Sequence, residues 1–217
     1  MERHLIKLYS LPVFALIMIT LMLVPASAET YSGVEFPDGA ASFADEVISH
    51  QLNGGAAGDD ITSALGIPDR RSTSLGAQGF IVLKFTNNSL TTSGNSDPDL
   101  FIYEAGNTDE YGNVSISEDG TNWIWVGVIN RKTSLDIDGV PGIIAGSCYC
   151  YVKIVDINGV SSSSAYEGVD IESVGAISSA PPMLGRSGND IPEFPTVAIP
   201  VMLVVGMAFI FFRGKDE

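Results

Sequence analysis

The fold class of this 217-residue chain is decided by the stretch Val114-Ser115-Ile116-Ser117-Glu118-Asp119-Gly120-Thr121-Asn122-Trp123-Ile124-Trp125-Val126. Its two halves are short runs rich in β-branched and aromatic residues, the composition of β-strands. Asp119-Gly120 stands between the two halves and supplies the positive backbone angles that a tight turn requires. The stretch therefore predicts a β-hairpin.

Similar runs recur on both sides of this hairpin, and clusters of Gly, Asn, Asp and Ser separate them. No segment of the central region has the spacing of an amphipathic helix. Many short strands divided by turn signals are typical of an antiparallel sandwich. We therefore predict an all-β, jelly-roll-like antiparallel β-sandwich over residues 29–177, with strands near 80–85, 100–104, 113–117, 123–129, 149–157 and 169–177.

The N-terminus has the layout of a secretory signal peptide. Charged residues at positions 3–7 precede an apolar run at 11–24, and the small residues Ala26 and Ala28 mark a cleavage site. We predict a signal peptide over residues 1–28. An uncleaved N-terminal anchor is the alternative.

The C-terminus combines a polar linker with one apolar segment. Residues 178–191 are poor in large apolar side chains and contain Pro and Gly, which predicts a flexible tether. The uncharged run 196–212 measures roughly 25 Å as a helix, close to the minimum that spans a bilayer core. Arg213 and Lys215 follow it and favour a cytoplasmic C-terminus.

The last residues, 192–217, resemble the PEF-CTERM sorting signal of archaeal surface proteins. Pro192, Glu193, Phe194 and Pro195 carry the motif, and the transmembrane helix 196–212 and the basic tail follow in the family's order. The resemblance implies export, processing by an archaeosortase-like enzyme near the tripeptide, and attachment to the membrane. An ordinary C-terminal transmembrane helix is the alternative.

A second resemblance covers most of the central region and concerns a cell-surface domain common in proteins with PEP-CTERM-type tails. Tyr103 and Val169 stand where that family usually has Phe. The resemblance implies a surface-located sandwich and no particular reaction. It rests on blocks at 45–49, 64–69, 74–85, 99–104, 114–120 and 168–174.

The chain is strongly acidic, with 26 Asp and Glu against 11 Lys and Arg and a formal net charge of −15. Such a surface repels phosphate backbones, so we expect no nucleic-acid partner, and it attracts divalent cations or basic partners. Adaptation to a saline habitat would produce the same bias.

Several acidic residues occupy strand ends and loops, where a sandwich can bring carboxylates together around calcium. Asp-x-Asp pairs at 97–99 and 136–138 place two carboxylates on one side of an extended chain. The alternative is that these acids form turns and carry solvated charge. The candidate calcium ligands are Asp99, Glu104, Asp136, Asp138 and Asp170.

Catalytic machinery is sparse in the sequence. After removal of the signal peptide His50 is the sole histidine, and no nucleophile elbow accompanies it. Paired carboxylates leave a glycoside hydrolase as the remaining enzyme class. We expect no catalytic activity.

Aromatic residues recur with period two at Trp123 and Trp125 and at Tyr149 and Tyr151, so each pair is predicted to share a sheet face. Core packing is the ordinary role of such residues, and a sugar-stacking platform is the functional alternative. Cys148 and Cys150 are spaced unfavourably for a direct disulfide. Packing, free thiols and a strained bridge all remain open.

Two sequons, at Asn87 and Asn113, are candidate glycosylation sites of an exported chain. Taken together, the sequence predicts a surface-anchored binding or envelope protein without catalysis. Its expected partners are the membrane, the processing enzyme, and surface glycans or envelope proteins. A calcium-dependent carbohydrate-binding or adhesion module is the alternative.

Overall fold

The structure is a computed structural model that describes residues 28–56, 59–105, 109–157 and 168–182. Within these ranges the only helices are the short 3-10 turns Gly39–Ser42, Gly54–Ala56 and Ile61–Ala64. The strands are β1 (Glu29–Tyr31), β2 (Val34–Phe36), β3 (Glu46–Gln51), β4 (Thr73–Ser74), β5 (Phe80–Lys84), β6 (Ser89–Leu90), β7 (Leu100–Glu104), β8 (Gly112–Ser117), β9 (Ile124–Ile129), β10 (Thr133–Leu135), β11 (Tyr151–Asp156), β12 (Asp170–Ala176) and β13 (Ser179–Ala180).

Two sheets form the body of the domain, and every strand pair in them is antiparallel. One sheet has the order β10-β7-β12-β4, and the other has the order β3-β5-β11-β8-β9. The chain repeatedly crosses between the sheets, so that, apart from the hairpin β8–β9, neighbours in each sheet are not consecutive in sequence. The prediction of an all-β antiparallel domain is confirmed.

The two sheets share one hydrophobic core, as a sandwich requires. Alternate residues of the long strands point inward, with Ile81 and Leu83 on β5 and Val152 and Ile154 on β11 fully buried. They belong to the same cluster as side chains of β7 and β12 in the other sheet. Period-two alternation therefore places one apolar face of each sheet in the common core.

A second aromatic cluster covers the outer side of the four-stranded sheet. Phe101 and Tyr103 of β7 pack there with Phe36 and Phe43 from the N-terminal segment. Because both of its sides are covered, every residue of β7 is buried. This explains why its sequence, Leu-Phe-Ile-Tyr-Glu, is apolar at four successive positions instead of alternating.

The predicted hairpin is confirmed. β8 and β9 pair antiparallel, with Ser115 opposite Trp125 and Ile116 opposite Ile124. Gly120 takes the positive φ of +75° that the turn requires. The carboxylate of Asp119 accepts hydrogen bonds from the backbone N–H of Thr121 and of Asn122, each at 2.8 Å, and so closes the turn.

The predicted tether begins too early. Residues Ser179 and Ala180 form β13 and pair with Leu90 and Ser89 of β6. The hydroxyl of Ser89 also donates to the carbonyl of Pro181 at 3.0 Å. The folded part therefore continues past residue 177, and residues 183–191 of the predicted tether lie outside the described residues.

No helix within the described ranges is long and apolar enough to cross a membrane. The predicted helix 196–212, the motif residues Pro192 to Pro195 and residues 1–27 of the predicted signal peptide, including Ala26, lie outside those ranges. Ala28, at the predicted cleavage site, is exposed and directly precedes β1.

Candidate functional site

The five predicted calcium ligands fall into two separate clusters. Asp99, Asp136 and Asp138 form the first cluster, and Glu104 and Asp170 join Glu110 in the second. In each cluster one carboxylate oxygen per residue lies within 4.8 Å of the others. The five residues therefore do not all meet at one place, because the pairing of distant strands decides which acids lie together. Calcium binding at either cluster stays a prediction.

Asp99 anchors the first cluster as a buried structural carboxylate. It is fully buried, and its oxygens accept the backbone N–H of Ser93 at 2.7 Å and of Ile137 at 2.9 Å. These two bonds hold the loop before β7 against the loop after β10. A buried charge is retained only when it is satisfied in this way.

Asp136 and Asp138 complete the first cluster at its exposed side. Asp136 accepts the backbone N–H of Asp138 at 2.8 Å. Asp138 accepts the hydroxyl of Ser93 at 3.0 Å and the backbone N–H of Gly94 at 2.9 Å. Each carboxylate of the cluster thus already accepts a hydrogen bond, as expected of loop-bracing acids.

The second cluster lies where three parts of the chain converge. Glu104 ends β7, Asp170 begins β12, and Glu110 precedes β8. Glu104 is 3% exposed and Asp170 is 7% exposed, so two carboxyl groups are almost removed from water. Like charges at this separation in a low-dielectric site repel strongly unless a proton or a cation joins them.

The pKa of Asp170 is raised chiefly by its burial. Burial raises the pKa of its carboxyl above the ordinary value, the hydroxyl of Ser74 lowers it by donating a hydrogen bond, and the charge of Asp59 raises it. Asp59 itself accepts the backbone N–H of Ser74 at 2.7 Å. Sequence analysis missed Glu110 because it stands in a loop outside every recognised block.

Other acids are used in turns, as the alternative interpretation expects. Asp60 accepts the N–H and the hydroxyl of Thr62 at 3.0 and 2.7 Å at the start of a 3-10 turn. Asp45 accepts the N–H of Thr86 at 2.8 Å and the side-chain amide of Asn87 at 2.7 Å. Asp60 is thus used in a turn, whereas Asp45 joins the segment before β3 to the residues after β5.

The outer side of the five-stranded sheet carries the exposed ring of Trp125 and the half-buried rings of Phe80 and Tyr151. Trp125 is 57% exposed, and its indole N–H donates to the side-chain oxygen of Asn113 at 3.2 Å. The ammonium of Lys153 lies 5.5 Å from the ring centre of Phe80 and 5.8 Å from that of Trp123. The ammonium of Lys84 lies 5.6 Å from the ring of Tyr151. These contacts are cation–π interactions.

The prediction that Tyr149 and Tyr151 share a face is wrong. Tyr149 is 1% exposed and belongs to the common core, where its hydroxyl accepts the N–H of Ile144 at 2.9 Å. Tyr151 lies on the outer face beside Lys84. The period-two argument failed because β11 begins at Tyr151, whereas Tyr149 forms an isolated bridge with Leu90.

The histidine, the two cysteines and the sequon asparagines lie outside both acidic clusters. His50 is exposed on the edge strand β3. Cys148 is half-buried and Cys150 is buried, and no disulfide joins them. Of the sequon residues, Asn87 is exposed with its amide bonded to Asp45, and Asn113 is half-buried on β8. Glycosylation at either asparagine stays a prediction.

Residues 191–215 match the model of the PEF-CTERM archaeal protein sorting domain. The sorting signal that the sequence predicts at this end of the chain is thereby confirmed. This signal supports a C-terminally anchored protein of the cell surface.

No curated protein matches the chain in sequence. Among solved structures, the chain is similar to the C-terminal domain of a chitobiase from Bacteroides fragilis, with a TM-score of 0.39 and 15% identity over 63% of this chain and 93% of that one. Similarity at this level carries no functional argument.

Proposed function

We propose that this protein is a surface-anchored module that acts by binding or as part of the cell envelope, without catalysis. The PEF-CTERM match at residues 191–215 carries the proposal, because such a signal delivers what precedes it to the outer side of the membrane. The all-β domain then becomes the displayed part. An archaeosortase-like enzyme is the processing partner, and the C-terminal tail is cytoplasmic before processing.

The absence of catalysis is part of the proposal and is supported by the chemistry of the acids. Glycosidases place two carboxyl groups about 5–5.5 Å or about 6.5–9.5 Å apart across the scissile bond. Both groups must be open to the substrate, whereas Asp99, Glu104 and Asp170 are buried. Buried carboxyl groups in loop junctions serve structure or cation binding better than they serve a sugar substrate.

The localisation is tested by the intact mass of the protein from cell envelopes, together with cell fractionation. We expect an N-terminus near Glu29 and loss of the residues after the Pro192-Glu193-Phe194 motif. Replacement of these three residues by alanine should leave the C-terminus unprocessed. Full-length polypeptide in the soluble cytosolic fraction would refute the proposal. Turnover of polysaccharides by the purified protein would refute its non-catalytic part.

A calcium-dependent carbohydrate-binding or adhesion role is the second candidate function. It is favoured by the convergence of Glu104, Glu110 and Asp170 and by the exposed indole of Trp125 on a sheet face. Calcium prefers several carboxylate oxygens, and exposed aromatic rings stack on sugars. Calcium would stabilise the junction of the two sheets, and the sheet face would meet the glycan.

A further inference from the structure

The outer face of the five-stranded sheet brings lysines and aromatic rings together on a protein that is otherwise acidic. We call this surface the lysine–aromatic face and define it by Phe80, Lys84, Trp125, Tyr151 and Lys153. Phe80 and Lys84 stand on β5, Tyr151 and Lys153 on the central strand β11, and Trp125 on the edge strand β9. The side chains alternate with buried core residues and so point to the same side.

Lys153 is the central cation of this face. Its ammonium lies over the rings of Phe80 and Trp123, which replace part of its water shell by aromatic surface. Among the residues that the structure describes, the lysine and arginine ion pairs are Arg71–Asp69, Lys84–Glu46 and Arg131–Asp109, and Lys153 is in none of them. Lys153 is therefore a positioned cation that retains its capacity to bind an anion.

The strand register places Lys153 and Trp125 in one row. Lys153 is opposite Ser115 of β8, and Ser115 is opposite Trp125 of β9. Neighbouring strands lie about 4.8 Å apart, so the two backbone positions are separated by about 10 Å. Between these two positions in the row stands only the small side chain of Ser115, and the ring of Trp123 lies 5.8 Å from the ammonium of Lys153.

Trp125 offers the stacking surface of this row. Its exposure of 57% is large for an indole, and the hydrogen bond from its N–H to Asn113 fixes the orientation of the ring. A fixed ring loses little conformational entropy when a ligand binds. The apolar face of a pyranose can stack on it while a group on the far side of the sugar reaches Lys153.

We propose that the lysine–aromatic face binds an acidic polysaccharide built of hexuronate sugars. One sugar ring stacks on Trp125 and its carboxylate pairs with Lys153 across Ser115. The net charge of −15 disfavours polyanions in general. However, charges farther than about 8 Å are screened at physiological salt, so the nearby positive charge of Lys153 determines whether an anion binds at this face. This inference names the ligand of the displayed domain and thus depends on the proposed binding function.

The test measures binding of short oligogalacturonates and their methyl esters to the native protein by calorimetry. The two probes have the same sugar ring, and the ester lacks the charge. We expect Lys153→Gln to weaken oligogalacturonate binding about tenfold to a hundredfold, the range of a hydrogen bond between charged groups. Trp125→Ala should weaken binding of both probes, and Trp125→Phe should restore part of it.

Two variants serve as matched controls. Lys132→Gln removes a lysine whose ammonium lies 5.3 Å from the ring of Tyr103, in the other sheet, and it changes the net charge equally. Ile144→Ala removes a side chain that is 64% exposed and lies in a loop outside the five-stranded sheet. Both variants should bind as the unaltered protein does. Circular dichroism of each variant establishes that it is folded.

Four results would overturn the inference. They are equal affinity for acid and ester, equal affinity for polyglutamate, an unchanged affinity in folded Lys153→Gln, and a glycan on Asn113 of the native protein that covers Trp125. The second result would indicate an acidic protein partner instead. None of them affects processing or surface location, so failure of this inference is distinguishable from failure of the proposed function.

Discussion

At the scale of single residues, the acidic side chains do two kinds of work. Asp119 and Asp60 close turns with carboxylates that remain in water, whereas Asp99 and Asp170 are buried. The difference follows from hydrogen bonding. A turn carboxylate accepts nearby N–H groups at little cost, and a buried one must be satisfied by groups brought from elsewhere in the fold.

Asp119→Ala should lower the melting temperature at neutral pH by weakening the β8–β9 turn. Hydrogen bonds from the backbone N–H of Asn122 and of Thr121, and from the side chain of Asn122, hold the pKa of Asp119 well below its ordinary value. Its contribution is therefore present above the unfolded pKa, 3.8, and is lost as the pH falls through the folded pKa.

Thermal melts of both proteins from pH 7 downward check this prediction. The difference in melting temperature should shrink below about pH 4. Glu118→Ala, in the same turn and exposed, is the control and should leave the melting temperature at neutral pH nearly unchanged. A constant difference at all pH values would show that the carboxylate charge of Asp119 is not involved.

Asp99→Asn should reduce the free energy of unfolding by about 1–3 kcal/mol, because an amide group would face a buried backbone N–H and leave it without an acceptor. Both carboxylate oxygens accept such donors now, from Ser93 and Ile137. Chemical denaturation measures the change. The exposed neighbour Asp97, changed to Asn, should alter stability by less than about 0.5 kcal/mol. Equal effects of the two changes would contradict this account.

At the scale of elements, β12 is the strand on which the architecture depends. It pairs with β7 on one side and β4 on the other, and it bears one side of the common core. Its residue Gly175 lies opposite Phe101 and faces the second aromatic cluster. A Cβ at this position would come within 2.6 Å of Phe36 Cε1 and 2.9 Å of Phe43 Cε1. The N-terminal segment therefore packs directly on the backbone of β12.

Gly175→Ala should destabilise the domain by about 1–3 kcal/mol through overpacking. If the ring of Phe36 is the obstacle, Phe36→Leu should cost less in the Gly175→Ala background than alone. A double-mutant cycle of unfolding free energies measures this coupling. Strict additivity would mean that the added methyl group does not meet Phe36.

The sequence predicted most of the long strands and the hairpin well. It failed for strands of two or three residues and for contacts between segments far apart in the sequence. β5, β7, β8, β9, β11 and β12 were expected within two residues of their bounds, since each carries five or more residues of β-type composition. β6 and β13 have two residues each, too few for any period to be read. β1 and β2 were missed for the same reason.

The candidate sites, too, depend on contacts that the sequence does not reveal. All five acidic residues lie in clusters, yet which acids meet depends on β12 pairing with β7, a contact between segments about seventy residues apart. Period-two reasoning also found Trp125 but could not distinguish an exposed ring from a buried one. Lys153 was missed because its significance comes from rings on a neighbouring strand and beyond β8.

At the scale of the whole molecule, the second acidic cluster joins the two sheets. Glu104 and Asp170 belong to the four-stranded sheet, and Glu110 leads into β8 of the five-stranded sheet. A cation bound here would connect them, so its effect should appear as global stability.

Calcium at about a hundred times its dissociation constant should raise the free energy of unfolding by about 2.7 kcal/mol. Asp170→Asn should abolish this gain. Asp136→Asn, in the first cluster, is the control and should retain it. Thermal melts with calcium and with chelator measure the effect. No shift with calcium, or an equal shift in Asp170→Asn, would exclude the second cluster as the site.

The pH dependence of stability, measured in the presence of chelator, is a second test of the same cluster. Because burial raises the pKa of Asp170, its stabilising contribution is complete below the unfolded pKa, 3.8, and is lost as the pH rises through the folded pKa. Asp170→Asn should therefore remove part of the stability loss above pH 3.8. Melts of the two proteins across this range check the sign, and an unchanged slope would contradict it.

The pairing of β13 with β6 has a mechanical consequence for a protein held at its C-terminal end. Tension applied through the anchor loads β13 first, and its two residue pairs should peel away at low force. The next strand, β12, is hydrogen-bonded to β7 over five pairs and to β4 over two, so it should resist extraction. Under shear, release of β13 would thus add a few residues to the extended segment between the domain and its anchor before force reaches the hydrophobic core.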